Sequence, residues 1–381
     1  MKIGFNYPKL AGRELDYIRQ AVENRHLSGD GPFSKRCESW LEAATGSARA
    51  LLTHSCTAAL EMAALLCDLT PGDEVIMPAF TFVSTANAVA LRGAIPVFVD
   101  IRPDTLNLDE SLIARAITPR TKAIFVVHYA GVGCAMDEIM AIADRHGLVV
   151  VEDAAQALMT TYRGRPLGGI GQLAAISFHE TKNVISGEGG ALLVNDPGLA
   201  ARAEILREKG TNRSSFFRGE VDKYSWVDLG SSYLPSEIVA AFLYAQLEAA
   251  EALTEPRKKA WQTYHAAFQP LEADGLLRRP VVPAECEHNG HIYYLLMPSL
   301  EERLALGRSL KARRIDGPFH YVPLDTAPAG RRFGRACGDL PVTHQVADRL
   351  LRLPLWSGMD KEPEIVAAAV IDHCLGNGAG A

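Results

Sequence analysis

Residues 123–157 read AIFVVHYAGVGCAMDEIMAIADRHGLVVVEDAAQA. Two apolar runs, at 123–128 and 148–152, flank a helical pattern at 136–146. Runs that are continuously apolar are typical of strands buried on both faces. A strand, a helix and a second strand in this order are typical of a parallel crossover unit. The segment therefore predicts an α/β fold with a mostly parallel sheet and helices on both of its faces.

The same alternation continues on either side of this segment. Further strands are predicted at residues 50–53, 74–77, 96–100, 173–178 and 191–195, with helices at 57–67, 84–91, 108–117, 197–209 and 237–253. The glycine-rich residues 162–171 predict a hairpin or a tight loop. Beyond residue 255 the pattern weakens, to strands at 293–297 and 319–322 and helices at 301–313 and 344–351. We therefore predict a large domain at 1–255 and a smaller C-terminal α/β domain at 256–381.

The composition excludes several classes of function. The 381 residues are 48% hydrophobic and 22% charged, with a formal net charge of −6. This balance predicts a globular protein without a nucleic-acid or membrane partner. The 7 cysteines contain no C-x-x-C pair, and the two histidines of HNGH (288–291) lack a third candidate ligand, so we predict neither disulfides nor a metal site. With no signal-peptide pattern at residue 1, the expected location is cytoplasmic.

Two polar residues follow predicted strands, and each has two interpretations. Asp153 comes after the strand at 148–152, where ligands of open α/β sheets bind, although an aspartate there also fits a helix cap. Lys182 lies between the strand at 173–178 and a glycine-rich turn. Such a lysine is usually a solvated surface residue. A lysine that bonds covalently to a carbonyl cofactor instead needs a desolvated site that lowers its pKa.

A third feature is THSCTAAL at residues 53–60, where a predicted strand meets a predicted helix. Hydroxyls and free N–H groups at a helix N-terminus bind phosphate, and an ordinary N-cap at Ser55 or Thr57 is the alternative. The sequence has no G-x-x-x-x-G-K-[ST] loop and no G-x-G-x-x-G after a strand. ATP and dinucleotide binding therefore lack their usual signatures.

The order of these three features is more specific than any one of them. A phosphate site, an aspartate about a hundred residues later and a lysine about thirty residues further on are typical of fold-type-I pyridoxal-phosphate (PLP) enzymes. Along nearly its whole length the chain resembles the DegT/DnrJ/EryC1/StrS family of sugar-nucleotide aminotransferases. The resembling segments are GDEVIMP (72–78), PVFVD (96–100), EDAAQA (152–157), SFHETKN (177–183), EGG (188–190), LREKG (206–210), HY (320–321) and LPL (353–355).

The resemblance implies a fold-type-I aminotransferase that binds PLP. Lys182 would bond to the cofactor and then move the substrate proton, while Asp153 would hold the pyridine nitrogen. Gln156 would contact the 3′ oxygen of the cofactor. Phe82 would stack on its ring, although plain core packing is the commoner role of a lone aromatic residue. The family implies phosphate contacts from Cys56, Thr57 and Ser177. In many relatives an asparagine of the neighbouring subunit also contacts the phosphate, and Ser232 is the candidate for that contact in this chain.

The resemblance also implies a sugar-nucleotide substrate. Residues 207–233 are similar to the branch that aminates C4 of dTDP-4-keto-6-deoxy-D-glucose with L-glutamate as the amino donor. The candidate substrate contacts are His179 and Glu180, the clamp residues Phe217, Arg218, Lys223 and Tyr224, and His320 and Tyr321 from the small domain. His179 also fits a structural histidine, and so does His128. Active sites of this fold lie at a dimer interface, so a homodimer is implied.

Several alternatives remain open at this point. The same core serves aminotransferases that act at C3, or that give an equatorial C4 amine. A dehydratase branch of the family replaces the lysine by histidine, and Lys182 argues against it. A non-catalytic PLP-binding regulator is an alternative from another class, but it would tolerate the loss of Lys182 and Asp153, which are both present.

Overall fold

The computed structural model describes residues 2–376. Its strands are β1 (Arg49–Thr53), β2 (Glu74–Pro78), β3 (Ile95–Val99), β4 (Thr121–Val127), β5 (Val149–Asp153), β6 (Thr161–Tyr162), β7 (Arg165–Pro166), β8 (Leu173–Ser177), β9 (Gly190–Val194), β10 (Cys286–Glu287), β11 (Tyr293–Leu296), β12 (Arg335–Ala336) and β13 (Leu350–Leu353).

The helices alternate with the strands in the first two thirds of the chain. They are α1 (Glu14–Glu23), α2 (Pro32–Thr45), α3 (Cys56–Leu66), α4 (Val83–Ala90), α5 (Glu110–Ala116), α6 (Met136–His146), α7 (Pro197–Arg207), α8 (Arg213–Phe217), α9 (Glu237–Glu248), α10 (Ala250–Ala267), α11 (Gln269–Ala273), α12 (Leu300–Ala312), α13 (Pro328–Phe333), α14 (Pro341–Arg349) and α15 (Glu362–Cys374), and a 3₁₀ turn lies at Tyr129–Gly131.

The main sheet has eight strands in the order β1-β9-β8-β5-β4-β2-β3-β12. Only β9 runs against the others, because it pairs antiparallel with both β1 and β8 while the remaining pairs are parallel. Successive side chains of a strand enter two different clusters: Leu51 and Val75 lie in one, Leu52 and Ile76 in the other. Helices therefore cover both faces, and the predicted mostly parallel sheet is confirmed.

A third hydrophobic cluster lies in the C-terminal part of the chain. It joins residues of α10, α12 and α15 to the two-stranded sheet β11-β13. The predicted boundary near residue 255 falls inside α10, which passes from the sheet clusters to this third cluster. Ile3 also belongs to the third cluster, whereas β12 pairs with β3 in the main sheet. The division into domains at 1–255 and 256–381 stays a prediction.

Three local predictions differ from the structure. Residues 319–322 form no strand: their backbone runs past the edge of β13, and the Tyr321 ring packs against Phe80 instead. The helix predicted at 237–253 is two helices that meet at Ala249, whose N–H bonds to Gln246 O as in a tighter turn. The helix predicted at 344–351 ends at Arg349, since its last two residues pair with β11.

Candidate active site

A cavity of about 850 Å³ opens at the carboxyl ends of β4, β5 and β8. Parallel strands bring their ends to one edge of the sheet, so residues far apart in sequence meet there. Ten of the predicted site residues line this cavity: Cys56, Thr57, Phe82, Asp153, Gln156, Ser177, His179, Lys182, His320 and Tyr321. We call six of them, Cys56, Thr57, Asp153, Gln156, Ser177 and Lys182, the cofactor wall.

The N-terminus of α3 supplies free hydrogen-bond donors to the cofactor wall. Ser55 caps this helix, with its Oγ accepting from Ala58 N at 3.1 Å. The N-cap interpretation is therefore correct for Ser55, yet it leaves the N–H groups of Cys56 and Thr57 without a protein acceptor within residues 2–376. Unsatisfied N–H groups and the helix dipole together favour an anion.

Gly190 explains how closely a neighbouring strand approaches this helix end. A Cβ atom at Gly190, the first residue of β9, would lie 2.4 Å from Cys56 N. Any larger side chain would displace the α3 N-terminus or fill the space in front of it. The glycine of the EGG segment thus keeps the Cys56 and Thr57 donors open to the cavity.

Asp153 ends β5 with its carboxylate in the cavity. Its Oδ2 accepts from Thr85 Oγ1 at 2.8 Å, and its Oδ1 accepts from Ala155 N at 3.2 Å. The segment after β5 is a series of turns, so Asp153 does not cap a helix. Burial raises the pKa of this carboxyl, against the lowering effects of the Thr85 and Ala155 hydrogen bonds and of Lys182. A ligand cation beside Asp153 would favour the ionised form.

Lys182 is not a solvated surface lysine, because its side chain lines the cavity. Burial lowers the pKa of its amine, while Cys56 and Asp153 act in the opposite direction and Arg352 adds to the lowering. A lowered pKa leaves more of the amine neutral near pH 7, which is the form that bonds to a carbonyl. Its main chain is fixed by a bond from Lys182 N to His179 O at 2.9 Å.

Gln156 and Phe82 both line the cavity, and both lie next to Tyr321. The Gln156 Oε1 accepts from Ala130 N at 2.7 Å, and its Nε2 donates to Tyr321 Oη at 3.0 Å. Phe82 is 57% exposed and its ring centroid lies 6.4 Å from that of Tyr321. Core packing is therefore not the role of Phe82, and its free ring face is available to a flat ligand.

A buried cluster behind β5 fixes the position of Asp153. Glu152, on the opposite face of β5, accepts from the N–H groups of Gly168, Ile170 and Gly171 at 2.6–2.8 Å. Its Oε2 also lies 2.8 Å from His128 Nε2. Burial raises the pKa of Glu152, but these donors outweigh it and hold the pKa below its ordinary value. His128 is fully buried and its Nδ1 accepts from Cys134 N, so its role is structural.

The donor set of this wall fits PLP. The free N–H groups of α3, with the Thr57 and Ser177 hydroxyls, suit a phosphate. Asp153 has no cationic side chain bonded to it within residues 2–376 and keeps acceptor capacity for a ring N–H. Lys182 supplies an amine of lowered pKa, and the exposed face of Phe82 suits an aromatic ring.

Six predicted site residues do not line the cavity. Glu180 is exposed at its rim, and the others are Phe217, Arg218, Lys223, Tyr224 and Ser232. These five lie in residues 210–232, which we call the aromatic loop. Phe217 and Tyr224 are exposed, and Arg218 pairs with Glu204 and Glu220 at 2.8 and 2.7 Å. Tyr233, the residue directly after the loop, accepts at its main-chain oxygen from His54 N, two positions before Cys56.

The sequence reasoning missed several residues that line the cavity: Phe5, Asn6, Ser84, Arg257, His291 and Arg352. Ser84 Oγ lies 2.8 Å from Thr57 Oγ1. Phe82, two positions before Ser84, was the available signal in the sequence. Arg352 precedes the LPL segment by one position. Phe5 and Asn6 belong to an N-terminal segment whose sequence shows neither helical nor strand periodicity.

Two further properties concern the whole described chain. Residues 2–376 contain no group of three His, Cys, Asp or Glu side chains arranged to hold a metal ion. Among these residues there is also no helix with the length and apolar character needed to cross a bilayer.

A mostly parallel sheet with a lysine, an aspartate and a phosphate-binding helix N-terminus at its carboxyl edge is typical of PLP enzymes of fold type I. The profile of the DegT/DnrJ/EryC1/StrS aminotransferase family matches residues 8–371. The chain belongs to this family. It is a PLP-dependent sugar aminotransferase, with a keto-sugar and an amino donor as its substrates.

Individual relatives are similar over nearly their whole lengths. The spore coat polysaccharide biosynthesis protein SpsC of Bacillus subtilis is 34% identical, covering 98% of this chain and 97% of SpsC. GDP-perosamine synthase of Caulobacter vibrioides is 33% identical, covering 98% of both chains. The PLP-form of Spr1654 from Streptococcus pneumoniae superposes with a TM-score of 0.90 at 26% identity, covering 99% of both chains.

Proposed function

We propose that this enzyme moves an amino group from L-glutamate to C4 of dTDP-4-keto-6-deoxy-D-glucose. The product is dTDP-4-amino-4,6-dideoxy-D-galactose, used for surface polysaccharide. The observation that carries the proposal is the single cavity shared by the Lys182 amine, the Asp153 carboxylate and the free N–H groups of α3. The sugar assignment is supported by residues 207–233, which resemble the C4-aminating branch, and by the similarity to SpsC, named for polysaccharide biosynthesis.

Each residue of the cofactor wall has a role in this proposal. PLP, when bound, supplies a conjugated ring that accepts electrons from the substrate carbon as its proton leaves. Cys56, Thr57 and Ser177 hold the phosphate, with Ser232 as a further hydroxyl, and Gln156 holds the 3′ oxygen. Phe82 stacks on the ring face. Asp153 holds the proton of the ring nitrogen, and Thr85 orients that carboxylate through its 2.8 Å hydrogen bond.

Lys182 moves the proton. In the first half-reaction its amine would take the proton from the α-carbon of the donor, which leaves as the 2-oxo acid while the amino group stays on PLP. In the second half-reaction the lysine would deliver a proton to the former carbonyl carbon of the sugar, which receives that amino group. Because burial lowers its pKa, the amine is available as a base closer to neutral pH than a surface lysine is. His179 and Glu180 contact the substrate from the mouth of the cavity. His320 and Tyr321 contact it from the cavity wall, where Tyr321 also fixes the Gln156 amide.

We further propose a homodimer with its active sites at the interface, in which the aromatic loop contacts the nucleotide sugar. The exposed rings of Phe217 and Tyr224 support this, since large aromatic side chains left in solvent mark binding surfaces. Arg218 and Lys223 supply cations for a diphosphate. A cytoplasmic location completes the proposal, in keeping with seven unpaired cysteines.

A second candidate is the same amino transfer on a GDP-linked keto-sugar. It is favoured by the 33% identity to a protein named GDP-perosamine synthase. Amination at C3, or at C4 from the other face, uses the same cofactor wall and differs only in how the sugar sits against it. The discriminating contacts therefore lie on the nucleotide and sugar side of the cavity.

Product analysis tests the proposal. The purified enzyme is incubated with PLP, L-glutamate and dTDP-4-keto-6-deoxy-D-glucose, and the product is examined by NMR. An axial amine at C4 is expected. An equatorial C4 amine, a C3 amine, or turnover only of a GDP-linked keto-sugar would contradict the assignment. Lys182→Ala is the matched control: it should lack both the product and the visible absorption of lysine-bound cofactor, which borohydride removes from the wild type.

A further inference from the structure

His291 lines the cavity from the loop before β11 and is only 9% exposed. Its main-chain N–H donates to Asn289 Oδ1 at 3.0 Å, and its carbonyl oxygen accepts from Arg257 Nη2 at 2.8 Å. Its Nδ1 lies 2.9 Å from Asn183 Oδ1. Within residues 2–376 its Nε2 has no hydrogen-bond partner, yet this atom is not sealed from solvent. The polar atom that His291 offers to the cavity is therefore Nε2.

The amide of Asn183 decides which ring nitrogen of His291 carries the proton. Asn183 Nδ2 donates to the main-chain oxygen of Asn289 at 2.8 Å, and a carbonyl oxygen can only accept. The Asn183 Oδ1 that faces the ring is therefore an acceptor, so His291 Nδ1 must donate. Burial lowers the pKa of His291 well below its ordinary value, and the positive charges of Lys182 and Arg257 act in the same direction. The neutral ring, with its proton on Nδ1, has a lone pair on Nε2.

His179, at the mouth of the same cavity, has the opposite arrangement. Its Nδ1 accepts from Thr181 N at 3.2 Å, so the proton of the neutral ring is on Nε2. That nitrogen lies 3.7 Å from a carboxylate oxygen of Glu188. His179 thus offers a donor that already has an acidic neighbour. His291 offers an acceptor that has no donor among the described residues.

The cavity wall is rich in hydrogen-bond donors. They include the N–H groups at the start of α3, the Lys182 amine and the Arg352 guanidinium. Asp153 is an acceptor, but in the proposed function it holds the ring nitrogen of the cofactor. A hydroxyl group of a ligand both donates and accepts. Donors of the wall can satisfy its oxygen, whereas its proton needs an acceptor such as His291 Nε2.

The two substrates differ in the groups that they bring to this acceptor. An amino donor brings carboxylates, whose oxygens are acceptors and repel the Nε2 lone pair. A 4-keto-6-deoxy sugar brings hydroxyls at C2 and C3, on the same ring as the carbon that is aminated. After the effect of burial, Lys182 is the leading charge acting on His291, so the two side chains lie in the same part of the cavity. Nε2 therefore matches a hydroxyl of the sugar rather than a group of the amino donor.

We propose that His291 Nε2 accepts a hydrogen bond from a ring hydroxyl of the keto-sugar. This rests on the proposed transfer to a 4-keto-6-deoxy sugar nucleotide. The buried amides of Asn183 and Asn289 hold the imidazole in the tautomer that is able to accept. His291 is thereby a specificity-determining residue for the second half of the reaction, because a sugar without the hydroxyl leaves Nε2 unpaired.

Two substitutions separate the cavity-facing acceptor from the bond to Asn183. His291→Asn places an amide N–H near the position of Nδ1, so it keeps the donor to Asn183 and removes the acceptor in the cavity. His291→Gln places an amide oxygen near the position of Nε2, so it keeps an acceptor in the cavity and loses the bond to Asn183. The two variants are therefore controls for each other.

The two half-reactions are followed separately in the PLP-loaded enzyme. Its visible absorption is lost with L-glutamate and returns with dTDP-4-keto-6-deoxy-D-glucose. His291→Asn should raise the half-saturating keto-sugar concentration about fivefold to thirtyfold, the usual effect of leaving a hydroxyl without its acceptor. Half-saturation by glutamate should change less than about twofold. His291→Gln should stay within about threefold of the wild type in both half-reactions.

Calorimetry gives the same comparison without turnover. The PLP form of the enzyme has no amino group to transfer, so the keto-sugar only binds to it. His291→Asn should weaken this binding by a factor similar to that seen in the half-reaction, and His291→Gln should not. His288→Asn is the control in the same loop, because His288 Nδ1 accepts from Gly290 N at 3.1 Å but the ring does not line the cavity. It should leave both half-reactions unaffected.

Sugar analogues identify the hydroxyl. In the wild type, the 2-deoxy or the 3-deoxy analogue of the keto-sugar should show the same rise in half-saturation as His291→Asn causes. His291→Asn should distinguish that analogue from the parent sugar by less than about twofold, because the pair is already broken. Visible absorption and thermal unfolding show whether each variant is folded. If His291→Asn does not fold, the two analogues are compared with the parent sugar in the wild type and in His291→Gln.

Three results would overturn the inference. If His291→Asn weakens glutamate and the keto-sugar equally, Nε2 serves Lys182 or the fold rather than the sugar. If His291→Gln loses as much keto-sugar binding as His291→Asn does, the bond to Asn183 matters and the acceptor does not. If both deoxy analogues match the parent sugar in the wild type, neither hydroxyl is recognised. Failure of the wild type to react with any 4-keto sugar nucleotide would instead overturn the proposed function, and this inference with it.

Discussion

The cofactor wall and the aromatic loop lie side by side, yet their side chains are held very differently. Asp153 and Gln156 are buried and each makes at least two hydrogen bonds within the chain. Phe217 and Tyr224 of the loop stand in solvent and contact mainly Phe216. Hydrogen bonds within the chain therefore fix the side chains of the cofactor wall at the strand ends. The aromatic side chains of the loop are instead exposed to solvent. The cofactor wall is suited to holding reacting groups in fixed positions. The aromatic loop is suited to binding a substrate or another subunit that covers its exposed rings.

Replacing Lys182 gives the largest effect expected in the cofactor wall. Lys182→Met keeps the length and burial of the side chain but removes its amine from the cavity wall. Turnover should fall by about a thousandfold or more, as expected for losing a positioned general base. Product formation by liquid chromatography measures this. The same substitution at exposed Lys122 on β4 should have no effect, and a Lys182→Met enzyme within tenfold of wild-type activity would refute the assignment.

Asp153→Asn is the next largest expected change. The amide has the same shape and keeps one oxygen for the Thr85 hydroxyl. It loses the second acceptor, which faces Ala155 N, and it cannot balance a positive charge on the ring nitrogen. We expect turnover to fall by about a hundredfold to a thousandfold, with cofactor affinity changed less than tenfold. A spectrophotometric PLP titration separates the two quantities. Asp137→Asn, at an exposed carboxylate paired with Arg163, is the control; a loss confined to PLP affinity would count against the proposed role.

Glu152→Gln tests how the wall is supported from behind. Three backbone N–H groups and His128 face this buried carboxylate, so its neutralisation should lower the free energy of unfolding by about 3 kcal/mol. Urea unfolding at pH 7 measures this change. Glu287→Gln at an exposed carboxylate should stay within about 0.5 kcal/mol of wild type.

The difference in unfolding free energy between wild type and Glu152→Gln should depend on pH in one direction. The pKa of Glu152 is lower in the folded protein than its ordinary value of 4.5, so its contribution to stability is complete above that value. It is lost as the pH falls through the lowered folded pKa. The difference between wild type and Glu152→Gln should therefore shrink as the pH falls below about 4.5. A difference that stays constant down to the acid transition would contradict an ionised Glu152.

The aromatic loop should give the smallest effect on stability and a moderate one on binding. Replacing Phe217 and Tyr224 together by alanine should change the free energy of unfolding by less than about 0.5 kcal/mol, because both rings are exposed. Half-saturation by the nucleotide sugar should rise about tenfold, from two lost aromatic contacts. Steady-state kinetics measures this, with Phe333→Ala as an exposed aromatic control. Unchanged half-saturation would remove the loop from the substrate site.

Most of the fold was predictable because its strands are buried on both faces. In β4 and β5 this burial leaves continuous apolar runs that need no tertiary information to recognise. The errors lie where tertiary contacts override a local pattern. Residues 319–322 are apolar and β-like, but aromatic packing rather than strand pairing holds them. The break at Ala249 divides a continuous helical pattern, so nothing in its composition marks it.

By itself, the sequence determined which residue types the cofactor wall carries, because the Ser55 to Thr57 segment, Asp153 and Lys182 each lie at or just after the end of a recognisable strand, β1, β5 and β8. The tertiary structure decided between the two interpretations of Asp153 and of Lys182. Only it buries Lys182 so that its pKa falls and frees Asp153 from a helix cap. It alone brings Arg352, from a strand far along the chain, to the same cavity. The physical reason is that desolvation and pairing depend on what surrounds a side chain, whereas residue type and order fix only what it is able to do.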